Sequence, residues 1–184
     1  MNALDILLIS VGMAMDSFAV SVCKGLSVKK AGIPEGMKCG FYFGGFQALM
    51  PVIGYYLGRL FADLIVRIDH WIAFFLLLFI GLQMIRESRE TETVDDKMDV
   101  RTMLLLAVAT SIDALSIGVT LAFIKVNIWI VVTSIGVVTF LFSLTGVLIG
   151  RKAGSMLGNK AKVIGGLILI YLGTKILLEH LGII

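Results

Sequence analysis

The chain predicts an all-α integral membrane protein of six transmembrane helices, built as two inverted three-helix repeats, and three observations lead there. Of its 184 residues 58% are hydrophobic and only 16% charged, where soluble domains carry roughly a quarter charged residues. Charge-poor apolar windows recur, and stretches of about 17–25 such residues span the roughly 30 Å hydrocarbon layer as helices. The order of motifs in the first half returns in the second.

The expected spans are Ile6–Cys23, Cys39–Gly58, Trp71–Ile85, Thr102–Ile124, Ile128–Ile149 and Val163–Leu178. The third and sixth are short, so they should stand upright or use snorkelling neighbours such as Lys175. Continuous apolar runs exclude a β-barrel, whose strands alternate in shorter segments. The first span carries Asp16 and lacks a basic leader and a small-residue cleavage pattern, so it reads as a retained helix. The chain has 20 glycines, with GxxxG spacing at Gly36/Gly40/Gly44, Gly54/Gly58 and Gly146/Gly150, which predicts close helix packing.

Basic residues set the orientation, because the more basic loops face the cytoplasm. Twelve of the 16 Lys and Arg fall in three loops: Lys24, Lys29, Lys30 and Lys38; Arg86, Arg89, Lys97 and Arg101; Arg151, Lys152, Lys160 and Lys162. Arg59, Arg67, Lys125 and Lys175 remain for the other side. Both termini are therefore expected outside, with Trp71 and Trp129 at the outer headgroup level. The net charge of +3 is topological and implies no nucleic-acid partner. The expected divisions are a first repeat over 1–87, a charged cytoplasmic linker over 88–101 and a second repeat over 102–184. The acidic residues at the linker's start and within it, Glu87, Glu90, Glu92, Asp95, Asp96 and Asp99, read as a solvated hinge. Cys23 and Cys39 flank a cytoplasmic loop, which argues against a structural disulfide; a two-thiol metal site is the rarer alternative.

Three matches in register define the repeat. VGMAMDSFAVSV from Val11 aligns with VATSIDALSIGV from Val108, placing Asp16 on Asp113. GGFQALMPVIGYYLGR from Gly44 aligns with GVVTFLFSLTGVLIGR from Gly136, and IGLQMIRE from Ile80 with LGTKILLE from Leu172. Three helices per half make the second half enter from the opposite side. Inverted repeats of this kind are a recurring plan of secondary transporters, with the site near the midplane.

Asp16 and Asp113 both lie deep in their spans. A carboxylate there costs at least about 2.5–3.5 kcal/mol, so a partner, a proton or a bound cation must offset it. No Lys or Arg lies at that depth in the sequence, which points to a cationic substrate. Oxygens surround the pair: Ser17 beside Asp16, Thr110 and Ser111 before Asp113, Ser116 one turn on, and Gln47 with its amide and a carbonyl freed by Pro51. Carboxylate, amide, hydroxyl and carbonyl oxygens suit hard divalent ions such as Mg2+, Ca2+ or Mn2+, and a thioether from Met13 or Met15, which precede Asp16, would favour manganese. Met13 in a helix is also ordinary packing.

No phosphate-binding GxxxxGK[ST] loop occurs, and His70 and His180 have no ligand or catalytic spacing, so neither an ATP-driven pump nor an enzyme is expected. Exporting a divalent cation against about 100 mV costs about 4.6 kcal/mol, and proton exchange on the same aspartates is the economical coupling. On the residues alone, an exporter of another small cation or amino acid stays open, as does a membrane scaffold whose aspartates hold helices together. The expected partners are a divalent ion and the bilayer, with no cofactor and the oligomeric state left open.

GMAMDSFAVSV, GGFQALMPVIG, HWIAFFLLLFIGLQMI and TSIDALSIGV resemble the MntP family of bacterial manganese efflux pumps over essentially the whole chain. Its most specific motifs map onto Asp16 and Asp113. The resemblance implies Mn2+ as the exported substrate and a bacterial inner-membrane location. Some members look acidic where this chain has Gln47.

Overall fold

The computed structural model describes residues 2–28, 32–87, 99–124, 126–157 and 160–180, and the side chains at 58–70 and 155–162, among others, lie outside that description. These residues form five α-helices in the order α1 (Ala3–Ser27), α2 (Ile33–Glu87), α3 (Val100–Leu121), α4 (Ile128–Leu157) and α5 (Lys160–His180), with no strand among them. Ala3–Ser27, Val100–Leu121 and the Ile128–Gly154 part of α4 are each long and apolar enough to cross a membrane.

Acidic residues start α1, α2 and α3, where the first N–H groups have no partner within the helix. The Asp5 carboxylate accepts from the Asn2 N–H at 2.8 Å, Glu35 from Gly32 at 2.9 Å, and Asp99 from Thr102 at 3.3 Å. Asp99 thus caps α3, which begins at Val100 inside the expected linker; residues 88–98, with most of its acidic cluster, lie outside the described residues.

The expected second and third spans fall on one helical segment, α2. The polar residues between Arg59 and His70 suggest an outer loop. Yet neither Gly nor Pro occurs from Arg59 to Ile80 to break the helix, and Leu, Ile and Phe dominate there. Leu77 and Ile80 nevertheless share one buried cluster with Cys39, Phe43, Val20, Cys23, Met103 and Leu106. Cys23 and Cys39 form no disulfide and are fully buried in that cluster. Leu4, Leu8, Phe41, Phe75, Phe79, Trp129, Ile130 and Tyr171 are exposed on the outside of the bundle, as lipid-facing positions require.

Lipid is as apolar as leucine, so helix association rests on close packing. Glycines supply it. A methyl group at Gly36 would lie 2.6 Å from Leu144, at Gly40 2.7 Å from the Phe140 ring, and at Gly44 2.7 Å from the Gly136 carbonyl oxygen. Numbers rise along α2 as they fall along α4, so these two helices are antiparallel. Between α1 and α4 the partners are Gly146 with Phe18, Gly150 with Val22, and Gly154 with Leu26. This pair runs parallel. Gly25 meets the Val147 carbonyl while Gly150 meets that of Val22, each glycine facing a carbonyl three residues before its opposite number. The same reciprocal pattern joins α2 to α3: Gly54 meets the Leu115 carbonyl and Gly118 that of Pro51.

Candidate functional site

Asp16 sits on α1 and Asp113 on α3, both half-buried. Met13, one turn before Asp16, and Ala114, next to Asp113, belong to one buried cluster with Leu121, Val131 and Ile135. The aspartate-bearing segments therefore converge on a shared core. One Asp113 oxygen, Oδ1, accepts from the Ala114 N–H at 2.9 Å.

Gln47 reaches this region from α2. It is fully buried, and its Nε2 donates to the Met13 carbonyl oxygen at 3.1 Å, while its Oε1 has no hydrogen-bond partner. Amide protons thus hold α2 to α1, and the amide oxygen is left to face the interior. Met13 contributes a backbone oxygen to this contact, and its thioether lies in the apolar cluster. Met15 is half exposed and points away from the core. Pro51 is buried where α2 meets α3.

The expected hydroxyls behave in two ways. Thr110 donates to the Leu106 carbonyl at 3.0 Å and Ser111 to that of Ala107 at 2.6 Å, so each spends its proton on its own helix and keeps oxygen lone pairs free. Ser17 is fully buried with its Oγ unpartnered. Three further residues, absent from the sequence-based set, share that property: Ser21 on α1, and Thr139 and Ser143 on α4. A signal existed, since Ser17/Ser21 and Thr139/Ser143 are each spaced four apart and Thr139 is the repeat counterpart of Gln47.

Among the described residues no three His, Cys, Asp or Glu side chains come together. Among the described residues, the donors available to complete the shell of a cation held near Asp16 or Asp113 are neutral oxygens, which hard ions accept. The side chains of His70 and His180 lie outside the described residues.

Apolar spanning helices locked through glycines, with carboxylates and buried unpartnered oxygens between them, define a multi-pass integral membrane protein with a polar interior. A family model described as "Putative manganese efflux pump" matches residues 30–177. Proteins called "Putative manganese efflux pump MntP" are similar over their full length. One from Acetivibrio thermocellus is 52% identical, covering 100% of this chain and 94% of the relative. One from Desulfitobacterium hafniense is 51% identical, covering 99% and 97%, and one from Campylobacter jejuni 52%, covering 98% of each. No solved structure matches. The chain belongs to the MntP family.

Proposed function

We propose that the chain is a secondary transporter that exports Mn2+ from the cytoplasm through a midplane site built on Asp16 and Asp113, in exchange for protons. The names of its full-length relatives support the substrate. The observation that carries the site is the Gln47–Met13 contact, which brings a buried amide with an unpartnered oxygen within a turn of Asp16. Gln47, Ser17, Ser111 and Thr110 complete the proposed ligand set through amide and hydroxyl oxygens, with the Met13 thioether as its softer donor.

Six spans in two inverted repeats are supported by the glycine crossings. Under the repeat alignment Ser21 corresponds to Gly118 and Gly146 to Gly54, and these positions form the α1–α4 and α3–α2 crossings respectively. Each aspartate lies five residues before its crossing. The buried cluster common to Phe43 and Leu77 supports separate second and third spans, because a straight helix would hold those residues about 50 Å apart. The basic loops support a cytoplasmic linker over 88–101 and both termini outside, in the bacterial inner membrane.

The ion leaves its water for carboxylate and neutral oxygens, and two ionised aspartates balance its charge. Returning with both carboxyls protonated removes the cost of uncompensated buried charge. Asp16→Asn and Asp113→Asn should each abolish manganese resistance in an exporter-deficient host at unchanged membrane abundance. Wild-type resistance in both variants would overturn the site. Vesicle flux competed by amino acids but not by other divalent ions would overturn the substrate.

A further inference from the structure

We infer that the seam between α1 and α4 is a hydrated passage by which the ion moves between Asp16 and the Lys24/Arg151 end of the bundle. This rests on the transport reading above and deepens it. A helical serine or threonine always has an acceptor within reach, the carbonyl four residues back. Ser10, Thr110, Ser111, Thr120, Thr145 and Thr174 use it, at 2.6–3.1 Å. Ser17, Ser21, Thr139 and Ser143 do not, although all four are fully buried. Their oxygens are hydrogen-bonded neither to their own helices nor to a facing one.

Helical register aligns them. Ser17, Ser21 and Gly25 form one stripe of α1, and Thr139, Ser143 and Val147 one stripe of α4. Gly25 meets the Val147 carbonyl, and a methyl at Gly146 would lie 2.9 Å from Ser21 Cβ, so the stripes face each other. Gln47, bonded to Met13, closes the row at the aspartate end. At the other end the Gly25–Gly150 and Leu26–Gly154 contacts bring the backbones together and shut the seam.

The row covers about two helical turns, roughly 10 Å, whereas ligands of one hard cation converge within about 2.6 Å. It therefore suits successive exchange of an ion's waters better than one coordination sphere. Neutral oxygens also replace hydration without trapping a divalent ion as further carboxylates would. The repeat-related seam differs: Ala114, Gly118 and Pro51 stand where α1 and α4 have Ser17, Ser21 and Ser143. By the Gly146–Phe18 and Gly150–Val22 crossings, Thr139 stands about level with Met13, Ser143 with Asp16, and Ser21 nearest the Lys24/Arg151 end, so the hydroxyl row runs from the aspartate level toward the cytoplasmic side in the orientation proposed.

Ser143→Ala, Ser21→Ala and Thr139→Val, singly and combined, test this in the full chain reconstituted in vesicles, with Mn2+ flux and thermal midpoint both read. Removing buried unpartnered hydroxyls should leave the midpoint equal or higher. Flux through the combined variant should fall at least about tenfold, as losing a bond to a charged species does, and Thr139→Ser should retain wild-type flux. Flux within twofold of wild type, or a midpoint falling in step with flux already in Ser143→Ala, would overturn the passage. Wild-type vesicles that move no Mn2+ would remove the transport reading and the passage together; wild-type flux with unaffected variants removes the passage alone.

Discussion

At the scale of single residues, Gln47 separates structure from transport most cleanly. Its Nε2 bond to the Met13 carbonyl is one intramembrane hydrogen bond, worth about 0.6 kcal/mol on average. Its orphaned Oε1 costs about 1–3 kcal/mol to bury. Gln47→Leu removes both, so its stability should stay within about 2 kcal/mol of wild type or rise slightly. Mn2+ export should meanwhile drop sharply. Thermal melts beside metal-resistance assays check the two halves of that expectation. The aspartates and Gln47 were legible in the sequence because a carboxylate or amide in an apolar run is conspicuous. Ser21, Thr139 and Ser143 were marked only by their four-residue spacing, a weak signal because a helical hydroxyl ordinarily satisfies itself on its own backbone. Only three-dimensional packing distinguishes Thr139 from Thr110.

At the scale of the helices, glycine positions divide by what a methyl group would meet. Gly150→Ala would press on the Val22 carbonyl and Gly25→Ala on that of Val147, backbone atoms that cannot step aside. Each should lose about 1–3 kcal/mol, seen as a lower thermal midpoint or reduced abundance. Nothing lies within 4 Å of a methyl group at Gly12 or Gly45. Gly12→Ala and Gly45→Ala should therefore gain up to about 1 kcal/mol from helix propensity. Either pair behaving like the other would contradict the packing described. GxxxG spacing made the crossings at Gly36/Gly40/Gly44 and Gly146/Gly150 readable, though not their partners. The continuity of α2 was less readable: charges between Arg59 and His70 mark a loop to a hydropathy argument, while helix propensity carries straight through them.

At the scale of the molecule, the proposed orientation is open to labelling. Cys23 and Cys39 are buried, so the native thiols should stay silent toward an impermeant reagent. Thr93→Cys should react only once the cytoplasmic face is exposed, and Asn127→Cys already in intact cells. The opposite pattern would invert the topology. The paired motifs can be read from the sequence, but the packing of the helices cannot: α1 packs on α4 and α2 on α3, across the proposed halves. One contact has a special place in that exchange. Gly44 and Gly136 are counterparts in the alignment and also touch each other, a methyl on either lying within 3.2 Å of the other's carbonyl oxygen. A point paired with its own image lies on the pseudo-two-fold axis, and a motion that swaps the two halves leaves it where it is. On the inverted-repeat reading this crossing is the fulcrum of the bundle. Spin labels flanking it should keep one separation through the cycle, while labels flanking Gly25–Gly150 and Gly54–Gly118 lengthen and shorten in opposite phase.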